Sequence, residues 1–195
     1  MQQALVWKPW FNPGVENLRL SIDEQGITAT SHLMQSLQGS SIAANYVLNF
    51  DANWRFHSLW IKVDNQGQRS LSLRRDEQGT WLPNERARPD LAACQQIFLS
   101  DSPFTHTPLL MRCGLSEGQS EVLPVAFVNL LTLGVEARQQ RYQRRPQSNG
   151  QSHYRSETQG LRSTELSVDP QGLVIKASGQ FMRISSQRLK LSVLV

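Results

Sequence analysis

IAANYVLNF, residues 42–50, sets Ile42, Ala44, Tyr46, Leu48 and Phe50 on one side of an extended chain. Successive side chains of a strand point to opposite faces, so a period of two reads as a half-buried strand. The pattern recurs. Leu18, Leu20 and Ile22 alternate with Arg19, Ser21 and Asp23, and apolar pairs at Leu71 and Leu73 and at Leu166 and Val168 repeat it, as do Leu189, Leu191, Val193 and Val195. Turn signals separate the runs at short intervals: Pro13-Gly14, Gln25-Gly26, Gln38-Gly39, Gln66-Gly67, Gln78-Gly79, Asn149-Gly150 and Asp169-Pro170-Gln171-Gly172. No sustained stripe at i, i+3, i+4, i+7 with caps at both ends lies between them, which argues for antiparallel hairpins over alternating strands and helices. The expected fold is mainly β, one domain over residues 1–195, whose antiparallel sheet curls, closes or folds into two layers to protect its edges.

One stretch breaks the alternation. CQQIFLSDSPFTHTPLLMR, residues 94–112, holds an apolar run (Ile97, Phe98, Leu99) and two prolines in a span too irregular for one strand. It reads as a plug: Phe104, Leu109, Leu110 and Met111 would fill the concavity, and Pro103 and Pro108 would keep it out of the sheet. Short helical segments are expected over residues 90–95 and 103–111.

The chain has 195 residues, 39% hydrophobic and 18% charged, which excludes a disordered or solvating role. The N-terminus MQQALVWKPWFNPG lacks a basic segment followed by an apolar one and a small-residue cleavage site, so the expected location is cytoplasmic. No apolar run reaches the ~18 residues that a membrane helix needs. Cys94 and Cys113 are read as buried and reduced, and neither sits in a zinc-ligand spacing.

Motifs that carry chemistry are scarce. The histidines, His32, His57, His106 and His153, form no HxH or HExxH, so no metal site is expected, and no P-loop or GxGxxG points to a nucleotide cofactor. His106, between two threonines, reads as a hydrogen-bonded structural histidine. Ser100-Asp101-Ser102 lacks a GxSxG elbow and suits a local cap before Pro103. In the basic run at residues 138–145, strand geometry sends Arg138, Tyr142 and Arg144 one way and Arg141 and Arg145 the other. That leaves no single-face stripe for phosphates, so a solvated hairpin leaving the sheet is expected and nucleic acid is set aside as a partner. The five tryptophans, Trp7, Trp10, Trp54, Trp60 and Trp81, suit a core or an apolar groove.

Several residues, in order, resemble a bacterial family named for glycolipid binding, the putative glycolipid-binding proteins: Trp7 and Glu16; Asp76, Gly79 and Trp81; Cys94, then Ser102-Pro103-Phe104-Thr105, Thr107 and Arg112; Gln140-Arg141-Tyr142; Val168-Asp169, Gly172-Leu173-Val174, Phe181 and Arg183. The resemblance implies a spiral β-roll or half-barrel similar to that of periplasmic lipoprotein carriers, and non-enzymatic binding of a lipid or glycolipid. The chain departs from the family's pattern in the central stretch, at Gln96, Phe98, His106, Pro108-Leu109 and Met111. The ligand is then expected in the concave face of the curled sheet, with Trp54, Trp60, Trp81, Phe104 and Tyr142 as walls, Arg112 and Arg141 toward its polar head, and His106 among the ligand-binding residues. The alternative is an enzyme acting on a small anionic substrate with His106, Asp101 and Arg112 together in one site.

Overall fold

The computed structural model describes residues 1–189, so the alternation at Leu191, Val193 and Val195 lies outside the described residues. Seven strands follow one another as an antiparallel meander: β1 (Gln2–Pro9), β2 (Gly14–Asp23), β3 (Gly26–Leu37), β4 (Ser40–Phe50), β5 (Phe56–Asp64), β6 (Gln68–Arg75) and the short β7 (Trp81–Pro83). After the central stretch come β8 (Gln96–Leu99), β9 (Ser120–Val128), β10 (Val135–Ser148), β11 (Gln151–Thr158), β12 (Thr164–Val168), β13 (Val174–Ala177) and β14 (Phe181–Arg188). β14 returns to pair with β1, which welds both halves into one 14-stranded sheet with β7 and β8 at its edges. All pairings are antiparallel except β8 with β9.

The sheet is curled and unclosed. Its β8 edge is rolled inside: Ile97 and Leu99 face one apolar core and Phe98 the other, and on β9 Ala126 and Val128 part from Val125 and Phe127 in the same way. Both faces of this strand pair are therefore buried, and the edge that would otherwise invite pairing with another chain is covered by the protein itself. The first core gathers the inward positions of β1 to β7, including Trp7, Leu20, Tyr46, Leu48 and Trp81; the second lies under β10 to β14, with Tyr142, Tyr154, Leu166 and Phe181. The concavity is thus largely filled by the protein's own side chains.

Two sequence expectations are corrected. Part of the central stretch does join the sheet, as β8. Its prolines come later and open a 3-10 turn (Pro103–Thr105) and α1 (His106–Cys113), the one α-helix among the described residues, where a missing N–H in the first turn costs little. Gly114, with φ 56°, ends the helix in the left-handed region. The other helical expectation reduces to a 3-10 turn at Pro89–Leu91. The second correction concerns the basic run, which is no solvated hairpin leaving the sheet. β10 pairs with β9 over Val135–Gln143 and with β11 from Gln140 onward, and its inward Gln140 and Tyr142 are fully buried. The predicted division of faces does hold, with Arg138 and Arg144 half-buried on the side of Tyr142.

Most residues that carry the family resemblance hold this roll together. Trp7 Nε1 donates to the Val174 carbonyl at 2.8 Å, across from the first half to the second. Trp81 Nε1 donates to the Cys94 carbonyl at 3.0 Å and stacks on Phe56. Asp76 accepts the Thr80 N–H at the β6–β7 turn, and Asp169 accepts from Gln171 and Leu173 while pairing with Arg183 at 2.7 Å. Thr107 reaches the Gly172 carbonyl at 2.9 Å and so ties α1 to the β12–β13 turn.

Candidate functional site

Where the second core meets one end of the sheet it stays open. A cavity of about 400 Å³ enters there, framed by the turns after β1, β3, β11 and β13 and floored by Phe98, His106, Phe127 and Phe181. Its volume falls in the range of about 300–1,000 Å³ usual for small-ligand pockets.

The two walls differ chemically. One is aromatic, from Trp10 and Phe11 at the mouth to Phe98 and Phe127, which stack with centroids 6.1 Å apart, at the floor. The other carries hydroxyl and amide groups placed by the inward positions of β11 and β12: Ser156 and Thr158, then Thr164. Gln140, buried behind them, donates from Nε2 to Ser156 Oγ at 2.7 Å and accepts from the Thr158 hydroxyl through Oε1. Ser156 therefore keeps its proton to donate, and Thr158 keeps oxygen lone pairs to accept. Thr164 is left the same way after donating to the Ser178 carbonyl at 2.8 Å. Asn129 accepts the N–H groups of Leu131 and Thr132 through Oδ1, which leaves its amide N–H groups to donate. Arg138 lies over the Phe127 ring at 3.9 Å while paired with Glu136, and Arg162 supplies a second guanidinium.

His106 is nearly fully buried, and its Nδ1 meets the Tyr142 hydroxyl at 2.8 Å. Burial pushes its imidazole down to about 3, so it stays neutral. A ring this weakly basic is a poor proton acceptor near neutral pH but a sound hydrogen-bonding group. Asp101, at the cavity wall with φ 60°, is raised above the ordinary carboxylate range by desolvation, against the lowering influence of the Ser100 hydroxyl.

Behind the cavity wall, Glu16 is buried with one oxygen, Oε1, accepting from Tyr46 (2.6 Å), Ser31 (2.9 Å) and Ser102 (2.9 Å). Its Oε2 has no partner, and burial raises the carboxyl to about 6 although all three hydroxyls lower it. Ser102 and Gln35, which donates to the Asp101 carbonyl at 3.1 Å, pin the segment after β8 to the first half of the sheet.

The structure separates the residues singled out in the sequence. His106 lines the cavity, and Tyr142 holds it from beneath. Trp81 and Phe104 lie in the first core, and half-buried Trp54 packs against Phe50 at the other end of the sheet. Trp60 is 47% exposed on the outer face of β5. Arg141 is on the outer face of β10, over a shallow groove, and Arg112 borders a separate small recess with Gln96 and Glu121. Of the alternative trio, His106 and Asp101 share the cavity and Arg112 does not. Sequence reasoning missed Phe127, Arg138, Ser156, Thr158 and Thr164. Their signal was parity: Thr158 and Ser156 are in phase with buried Tyr154, and Thr164 with Leu166 and Val168. Among the described residues no cluster of His, Cys, Asp or Glu is placed to hold a metal, both cysteines are free, and no helix is long and apolar enough to cross a membrane.

A crystal structure of a DUF1089 family protein from Pseudomonas aeruginosa is similar to the chain at 31% identity, with a TM-score of 0.77, over 90% of this chain and 95% of that one. No curated protein matches. The family model described as "Putative glycolipid-binding" matches residues 4–183. With nearly the whole roll inside that match, from Trp7 on β1 to Arg183 on β14, the chain belongs to the family so described.

Proposed function

We propose that the protein binds the polar head of a glycolipid or related amphiphile in the cavity at the open end of the second core, without transforming it. The observation that carries this is the pairing of walls. A sugar ring presents C–H faces that suit aromatic surfaces and a rim of hydroxyls that need both donors and acceptors. The cavity supplies Phe98, Phe127 and Phe181 for the first, and the unspent groups of Ser156, Thr158, Thr164 and Asn129 for the second. The filled cores leave no room for an acyl chain inside the roll, so the chain of the ligand lies at the mouth, against Trp10, Phe11 and Leu161.

Isothermal titration with a short-chain alkyl glycoside below its micelle concentration, with native mass spectrometry of the purified protein, tests the reading. Binding is expected, and Ser156→Ala should weaken it by roughly fivefold to tenfold, the size of one hydrogen bond of about 1 kcal/mol. No heat and no copurified amphiphile would sink it.

A further inference from the structure

The end of the sheet that carries the cavity differs from the other end in a way the cavity does not require. In a meander the turns fall alternately at the two ends. The turns around the mouth, residues 10–13, 38–39, 159–163 and 178–180, contain one charged side chain, Arg162, and the segment after β8 adds one acid, Asp101, at the cavity wall. The turns at the far end, residues 24–25, 51–55, 76–80 and 169–173, carry Glu24, Asp51, Asp76 and Glu77 against Arg55, with Asp169 neutralised by its pair with Arg183.

Apolar exposure is distributed the same way. Phe11 is 81% and Trp10 37% exposed in the turn after β1, and Leu161 is exposed in the turn after β11. Met34, 64% exposed, faces outward beside its cross-strand partner Val15 near the same end, and Met182 does so one residue into β14. These six make up more than half of the exposed large apolar side chains among the described residues. Cations flank them: Lys176 Nζ sits 4.9 Å over the Trp10 ring, and Lys8 is opposite Met182 across the β1–β14 pair.

We infer that this rim is a docking surface for an anionic lipid bilayer, with the cavity mouth facing the headgroups and the acidic end facing away. Aromatic and aliphatic tips insert into the interface, lysine and arginine meet anionic headgroups, and the acids at the far end orient the molecule by repulsion. An apolar rim with this charge asymmetry suits a bilayer better than a protein partner, whose surface would match it residue by residue. The inference concerns the surface around the cavity and uses the glycolipid reading only for what is carried.

Cosedimentation with vesicles of phosphatidylcholine, with and without phosphatidylglycerol, tests it on the full chain. Wild type is expected to bind the anionic vesicles and to weaken as salt rises. Met34→Glu with Met182→Glu, neither of which lines the cavity, should weaken binding about tenfold while leaving the unfolding midpoint and alkyl glycoside binding unchanged. Glu77→Lys at the far end should not weaken it. Wild type that ignores every vesicle, or a double variant that binds as wild type does, overturns the inference. So does a concentration-dependent dimer abolished by Met34→Glu in a protein that binds no vesicle, which would make the rim an interface between copies. Vesicle binding without glycoside binding would leave the docking surface standing and remove the glycolipid reading instead.

Discussion

The two cores of the roll are enclosed by strands of one continuous sheet, yet they bury different chemistry. Among the described residues the first holds 28 buried hydrophobic residues and the second 12. Buried polar side chains occur around both and differ in placement: His106, Ser156, Thr158 and Thr164 line or floor the opening of the second with Gln140 behind them, while Gln3, Glu16, Ser31 and Gln35 sit at inward positions of β1 to β3 around the first. A half that only has to be stable can rest on apolar burial, because each apolar group removed from water contributes, and in the first core that burial outweighs the unpartnered oxygens of Gln3 and Glu16. A half that offers donors and acceptors to a ligand must hold polar groups at inward positions and satisfy them from behind, as Gln140 does for Ser156 and Thr158.

The sharpest test of that contrast is the pH response of His106. Its folded pKa lies near 3, below the ordinary value of 6.5, so the unfolded chain binds the extra proton between those limits. The stability it supports is complete above about pH 6.5 and is lost as pH falls toward 3, on the order of 5 kcal/mol over the full window. Urea unfolding of wild type and His106→Asn across this range should give a difference that narrows with falling pH. Parallel curves would mean that the ring titrates freely and that the second core is wetter than its packing indicates.

Truncation of aromatics gives the next largest effect. Phe104 is fully buried in the first core, edge-on to Phe50 at 6.4 Å, so Phe104→Ala should cost about 3–5 kcal/mol of stability by urea unfolding. Phe181 borders the cavity, where space already exists beside it, so Phe181→Ala should cost visibly less. Equal costs would erase the distinction between a sealed core and an open one.

The same contrast decides what could be read in the sequence. The first half was legible because its inward residues are apolar: Ile42, Ala44, Tyr46, Leu48 and Phe50 all proved buried where alternation put them. In the second half the inward positions of β10 read Arg138, Gln140, Tyr142, Arg144, and a polar face in phase with one tyrosine looks like solvent exposure. Composition cannot distinguish a polar group facing water from one facing a cavity. The tryptophans misled in the opposite direction, because Trp81 is held by burial and a carbonyl 3.0 Å away in the first core, far from any opening. Residues of the family resemblance such as Trp7, Asp76 and Asp169 mark anchors of the roll, and so located the fold better than the site.

Glu16 offers the smallest effect and the one with the opposite sign. Desolvation raises its carboxyl from an ordinary 4.5 to about 6, so between these limits the folded protein binds the extra proton. The stability attached to the protonated form is present below about pH 4.5 and lost as pH rises through 6, about 2 kcal/mol in all. Glu16→Gln keeps an oxygen for Ser31, Tyr46 and Ser102 and removes the charge, so wild type should lose about 2 kcal/mol relative to the variant between pH 4.5 and pH 7. His106 drives stability upward over part of the same range, and in wild type the two trends oppose each other. Only the two single variants separate them. A pH-independent difference for Glu16→Gln would show that water reaches the unpartnered Oε2, and that the first core is not the sealed half of the molecule.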